Sequence, residues 1–379
     1  MGIERRGRIL VASLLTSLGV GGCSGCRAAF VTLPDGEGAF DFSPTGLHAA
    51  LSRPQRVAFY DVDEKRIAWT RPIEEANVAV RFSPSGSYLA VFSSEDKATE
   101  GTLALVAAAD GREIFRHSSP PPFALSASDD GELVARSDGL MSIAIEDRGG
   151  NVVHRQKIAG PPGGAIRKIA FAAGSTRLSI DAGGSVTVLD REGSRYLVTA
   201  TLDGGYGSSF AGGGLFFGSA NGIERWDGAK RSVVFGNDST PGEGDLTADA
   251  SKPRPPWLVA PDGLHLVIWN DMRFAVVSTS TGAIVFTQSQ RSVSEGYVCD
   301  AAFAGPTLRI FLCSGELLDI DLAQGKTVKT RSFGAVGSTS PNFVYGSPSW
   351  SPSYEWALAP TGRYLRITRS GKHEVYLLE

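Results

Sequence analysis

Between Phe82 and Phe92 the chain reads FSPSGSYLAVF: an apolar stretch enters a Ser-Pro-Ser-Gly corner and a second apolar stretch leaves it. Pro84 presets φ at the first corner of a turn, and Gly86 can take the positive φ that closes it. The unit recurs along the chain as FDFSPTGLHAALS from Phe40, VRFSPSGSYLAVF from Val80, ALSASDDGELVARS from Ala124 and IAFAAGSTRLSIDA from Ile169. A degenerate glycine-rich copy, SSFAGGGLFFGSA, starts at Ser208. WLVAPDGLHLVIW from Trp257, CDAAFAGPTLRIFLCS from Cys299 and WALAPTGRYLRITR from Trp356 complete the series. A second hairpin follows each, as in RVAFYDVDEKRIAWTR (56–71) or ELLDIDLAQGKTVKT (316–330). Alternating apolar positions with glycine-bearing turns every few residues predict strands, and no long stretch shows the 3.6 period of a helix.

Four strands per repeat at a period of about 40–45 residues predict an all-β propeller, one blade per repeat. There are eight starts, and eight blades is the expectation; the count falls to seven if the Ser208 unit merges with a neighbour. The last unit has only three strands, 355–359, 364–369 and 373–378, before the chain ends. The stretch 28–33 (AAFVTL) is the predicted fourth, so that the two ends pair, close the ring and cover two sheet edges. The Ser-Pro-x-Gly hairpins resemble WD-repeat propellers, and the second hairpins resemble quinoprotein-type repeats. That resemblance implies the fold and carries no activity, since the Trp-Asp dipeptide occurs only at Trp226-Asp227.

Upstream of the repeats, Arg5, Arg6 and Arg8 precede a 12-residue apolar core, 9–20 (ILVASLLTSLGV). Such a core is shorter than the roughly 20 residues of a membrane-spanning helix and reads as a signal peptide. Val20-Gly21-Gly22-Cys23 resembles the lipobox of bacterial lipoproteins. The resemblance implies acylation of Cys23, a leader of 1–22, a tether of 23–27 and a propeller of 28–379. It also implies a lipid-anchored protein of the bacterial envelope, on the periplasmic or surface side and in the outer membrane. Arg8 stands where a twin-arginine signal wants an apolar residue, so general secretion is expected.

Composition adds two constraints. The 46 glycines exceed the usual share of about 7%, as many tight turns require. Formal charge is −3, and −5 once Glu4 and the three arginines leave with the leader, so nothing electrostatic points to nucleic acid.

Candidate chemistry is sparse. The strand order puts the fourth-to-first and second-to-third connections on one face. Three long excursions fall there: 93–101 (SSEDKATEG), 237–256 and 334–354. The last holds Phe343, Tyr345, Trp350 and Tyr354 among prolines and serines, a pattern suited to recognition. These aromatics are the candidate partner-binding residues; the alternative is that they fold back to plug the ring. His48, His117, His154, His265 and His373 fall in different repeats without metal spacing and read as surface strand residues. Gly207-Ser208-Ser209-Phe210-Ala211 misses the nucleophile elbow, and Ser128-Asp129-Asp130-Gly131 misses the sialidase Asp-box. No catalytic residue, metal or cofactor is expected. Cys299 and Cys313 lie on the first two strands of the seventh unit; a small register shift or bulge brings them together as a disulfide, and free thiols on opposite faces are the alternative.

The expectation is a monomeric scaffold that binds a protein or peptide through its insert-bearing face. The rivals are an assembly factor similar to the eight-bladed lipoprotein of the outer-membrane insertion machinery, and a lactonase or hydrolase with carboxylates at the central channel. A bound metal or a cluster of carboxylates at the channel mouth favours the enzyme; an apolar, aromatic patch there favours recognition.

Overall fold

The computed structural model describes residues 29–33, 40–53, 55–73, 77–95, 98–159, 164–193, 195–236, 257–270, 273–289, 298–333, 356–369 and 372–378. Its described elements are strands throughout, and they make eight four-stranded antiparallel sheets arranged as a β-propeller.

The chain opens with β1 (Val31–Leu33). Blade 1 is β2 (Phe40–Phe42), β3 (His48–Arg53), β4 (Arg56–Asp61) and β5 (Arg66–Pro72). Blade 2 is β6 (Asn77–Phe82), β7 (Tyr88–Ser94), β8 (Gly101–Ala107) and β9 (Glu113–Ser119). Blade 3 is β10 (Leu125–Ala127), β11 (Leu133–Ser137), β12 (Ser142–Asp147) and β13 (Val152–Lys157). Blade 4 is β14 (Lys168–Phe171), β15 (Arg177–Asp181), β16 (Ser185–Glu192) and β17 (Arg195–Asp203). The degenerate unit stands as its own blade 5: β18 (Tyr206–Ala211), β19 (Gly214–Ser219), β20 (Gly222–Trp226) and β21 (Arg231–Gly236). Blade 6 is β22 (Trp257–Val259), β23 (His265–Asn270), β24 (Arg273–Ser278) and β25 (Ile284–Ser289). Blade 7 is β26 (Val298–Ala304), β27 (Thr307–Leu312), β28 (Glu316–Asp321) and β29 (Lys326–Ser332). Blade 8 has β30 (Trp356–Leu358), β31 (Tyr364–Arg369) and β32 (Lys372–Leu377), and β1 pairs with β32 as Val31↔Val375 and Leu33↔His373.

In blades 1, 2, 3, 6 and 8 the first turn closes on its glycine, whose N–H donates to the carbonyl three residues back. Gly86 has φ +78°, its N–H donates to Ser83 O at 2.9 Å, and Ser83 N–H returns to Tyr88 O at 2.9 Å. Second and third strands are apolar on both faces because a neighbouring blade covers each face. β19 is buried at every position, and β12 at all but its ends. Outer strands face water and read polar, as β13 (VVHRQK) does.

The core is a ring of seams between blades. Eight apolar clusters each straddle one neighbouring pair, for instance Ala50, Val57 and Phe59 of blade 1 with Val80, Phe82 and Leu89 of blade 2. The seam between blades 8 and 1 joins Phe40, Phe42 and Leu51 to Ala359, Tyr364 and Val375. Burial of one such side chain stabilises by roughly 1.5–3 kcal/mol, so every seam is a substantial term.

Candidate functional site

Alternation of strand direction gives the ring two unlike faces. First-to-second turns lie on one; fourth-to-first and second-to-third connections start and end on the other. Residues 237–256 and 334–355 are outside the described residues, and so are Phe343, Tyr345, Trp350 and Tyr354. So is Cys23 with the whole leader and tether.

The insert-bearing face does carry an apolar feature in blade 3. Phe123, in the connection from β9 to β10, is 52% exposed, and Leu140, in the β11–β12 turn, is 54% exposed. The Ser137 hydroxyl accepts the N–H of Phe123 at 2.6 Å and that of Ala124 at 3.1 Å, which fixes the corner. Three prolines, Pro120 to Pro122, stiffen the approach. Sequence reasoning passed over this pair; its signal was the Pro-Pro-Pro-Phe run.

The ring encloses a channel of about 1210 Å³, open among the first-to-second turns at Pro44, Pro84, Pro261 and Pro360. Its apolar wall includes Leu125, Ile169, Phe210 and Leu258, and four charged residues of the innermost strands line it: Asp41, Arg81, Lys168 and Asp300. The carboxylates staple blades together. Asp41 Oδ2 accepts Phe82 N–H at 3.3 Å across the blade 1–2 seam. Asp300 Oδ2 accepts Leu358 N–H at 2.8 Å across the 7–8 seam, and Oδ1 accepts Ala301 N–H at 2.8 Å. Ser126 plays the same part between blades 3 and 4, accepting Phe171 N–H at 3.3 Å.

Burial pushes the Asp300 carboxyl up to about 6, against the pull of its two N–H donors and of Arg366. Burial pushes Arg366 down to about 10, with Asp300 opposing. Asp41 is raised by burial too, partly offset by Arg81. Its side chain nevertheless keeps 29% of its surface open to the channel, so water tempers that shift.

The remaining candidates separate. Ser208 is buried within β18 at hydrogen-bond distance from Ser179, in a strand with no helix after it. Asp129 is a turn residue that binds the backbone of the neighbouring turns at Ser85 and Gly174. The histidines are not all surface residues. His373 is 2% exposed and contacts the Thr368 hydroxyl at 2.9 Å, while His117 meets the buried Glu146 at 2.8 Å across the 2–3 seam. The surface reading of both is corrected: each lies where an outer strand or seam is covered by an adjacent element. Among the described residues, no group of three His, Cys, Asp or Glu is placed to hold a metal ion.

Cys299 and Cys313 are bonded, with Cα atoms 5.3 Å apart. The β26–β27 register shifts between Val298 and Asp300, leaving Cys299 as the bulged residue that reaches Cys313 beyond the end of β27.

No family model matches the chain, and no curated protein matches it. Solved structures similar to it share the fold at low identity. The C-terminal WD40 domain of Sif2 superposes with TM-score 0.62 at 12% identity, covering 94% of this chain and 100% of that one. The computationally designed Ika8 protein gives 0.61 at 14% identity, covering 92% and 99%. BamB from Moraxella catarrhalis gives 0.57 at 14% identity, covering 92% and 98%.

Proposed function

We propose that this protein is a lipid-anchored, envelope-facing propeller that binds a partner protein or peptide through its insert-bearing face. The observation that carries the reading is Phe123 and Leu140, both more than half exposed on the face from which the three inserts leave. A well-packed ring that keeps two large apolar side chains more than half exposed beside a pinned corner has the makings of a recognition surface. The channel carboxylates support this over the hydrolase reading, because Asp41 and Asp300 are engaged by backbone N–H groups of the next blade. The lipobox at Cys23 supports the anchor and the envelope address. The aromatics Phe343, Tyr345, Trp350 and Tyr354 are the proposed second part of the surface.

The test is a pull-down from detergent-solubilised envelope. Wild type should retain one partner; deletion of 334–354 and the pair Phe123→Ser with Leu140→Ser should each lose it while melting like the parent. Retention of the same partner by both variants would overturn the reading. Cys23→Ser tests the address separately: unchanged partitioning into membranes would sink the lipid anchor.

A further inference from the structure

The channel wall holds a lysine that has no carboxylate within ion-pair distance among the described residues. Lys168 opens β14, and its Nζ donates to the Ser208 carbonyl oxygen of blade 5 at 2.6 Å. Among the described residues it forms no ion pair, although cations such as Arg177 and Arg309 each have a carboxylate within hydrogen-bond distance. Its cross-strand neighbour Asp181 is taken up by the backbone N–H groups of Gly183 and Gly207 and acts on the lysine only from a distance. Among the described residues, the other two ammonium protons of Lys168 have no acceptor at hydrogen-bond distance.

Arg81, on the same cavity wall, is in a similar state. Its contact with Asp41 is long, at 3.8 Å, and its hydrogen bond goes to the adjacent Val80 carbonyl oxygen at 3.0 Å. Burial lowers the pKa of Lys168, and the Arg81 charge acts in the same direction, so the two cations sense each other within the ring. An anion between them would satisfy spare donors on both and cancel their repulsion. Of the channel carboxylates, Asp300 is held in the 7–8 seam, while Asp41 divides its Oδ2 between Phe82 N–H and the long contact to Arg81.

The volume decides what kind of anion suits the site. At about 1210 Å³ the channel exceeds the roughly 300–1,000 Å³ of small-molecule pockets, and much of its wall is apolar. A bare inorganic ion would leave that wall against water. An extended peptide tip can cover Leu125, Ile169, Phe210 and Leu258 while delivering one charge.

We infer that the central channel recognises a carboxylate, on an acidic side chain or the chain end of an extended peptide, with Lys168 and Arg81 as the clamp. This rests on the partner-binding reading above and adds to it a second contact, an acidic peptide tip entering the channel from the first-to-second-turn face, opposite the one the inserts leave.

The test uses the detergent-solubilised full chain with lysine Cε labelled by carbon-13; the Lys168 resonance is identified by its loss in Lys168→Gln. The probes are N-acetyl-Gly-Glu-Gly-amide, its Gln twin and inorganic phosphate. The glutamate peptide should shift the Lys168 signal saturably. Loss of one charge-assisted contact, through the Gln twin or through Arg81→Gln, should weaken binding about tenfold. A shift that does not saturate, equal response to the Gln twin, no effect of Arg81→Gln, or phosphate binding as tightly as the peptide would each overturn the clamp. If the peptide probe fails while Lys168→Gln still captures the envelope partner, the clamp is wrong and the outer-face reading stands.

Discussion

Blades 7 and 8 are neighbours built in opposite ways. Blade 7 is one continuous stretch whose strands of 7, 6, 6 and 7 residues follow one another through short turns. Blade 8 takes three strands from the end of the chain and its outer strand, β1, from the beginning; its innermost and outermost strands have 3 residues each. Blade 7 is tied within itself by Cys299–Cys313 and by buried Asp319, which engages Arg309 at 3.2 Å and also Arg331. Blade 8 is tied to blade 1. Asp63 accepts from the Tyr364 hydroxyl and from Arg363 Nη1 at 3.0 Å, and Lys65 Nζ lies 3.9 Å from the Phe30 ring centre.

Their edges differ too. In each of blades 1 to 7 the third-to-fourth strand pairing contains a register shift, as between Asp319 and Ile320; the β1–β32 pairing has none. The fourth strand of a continuous blade must leave a tight turn and then bend away as the sheet twists, and a bulge accommodates that. A strand arriving from the far terminus starts from no such turn. A continuous blade is thus specified by its own hairpins, while the composite blade depends on contacts between residues some 300 positions apart.

The sharpest way to break the comparison is to remove residues 29–33. This deletes the β32 partner and the packing of Phe30 on Tyr364, whose rings lie 6.0 Å apart. A loss of about 3–6 kcal/mol is expected from burial and ladder bonds, with aggregation through the uncovered edge. Thermal unfolding checks it; a truncated protein that melts like its parent would show that β1 does not fasten the ring.

Next is Cys313→Ser in blade 7. Opening a loop of about 15 residues should cost up to about 3 kcal/mol in the chain-entropy account. Denaturant midpoints measure the cost. Peptide mapping tests the bond itself, which is absent if both cysteines alkylate in the oxidised, unfolded chain without reductant.

Asp63→Ala should have a smaller effect, about 1 kcal/mol, because the carboxylate is 40% exposed and solvent screens it. It should nonetheless lower the cooperativity between blade 8 and the rest. Hydrogen exchange localised to β31 and β32 should rise in this variant, and equal exchange would remove Asp63 as a clasp.

The smallest expected effect is the pH dependence of the 7–8 seam. Folding raises the Asp300 carboxyl from its ordinary 3.8 to about 6, so the folded protein binds that proton more tightly than the unfolded chain. Its contribution is therefore present at low pH and is lost as pH rises through that window. Asp300→Asn should flatten this part of the stability profile relative to wild type. Parallel profiles for the two proteins between pH 4 and 7 would show that Asp300 titrates as it does in the unfolded chain.

Much of this architecture was legible in the residues. The Ser-Pro-x-Gly corners and the turns at Gly282 and Gly325 marked strands to within a residue or two, because a hairpin is a local object set by turn chemistry and a period of two. The glycine-rich unit after Ser208 was ambiguous as sequence. It became a blade because Phe216 and Phe217 find opposite seams, a matter of neighbours rather than of propensity. The bulge at Cys299 was anticipated only as a geometric need; the packing of blade 7 against blade 8 places it.

The site was the least legible part. Local pattern determined the strands, their turns and the repeat, because each depends on interactions within a few residues. Only the ring decided that Lys168 and Arg81, 87 positions apart, line the same channel, and that Asp41 and Asp300 serve neighbouring backbones. The physical reason is closure: charges on the innermost strands acquire partners, or lack them, only when all eight blades converge on one axis.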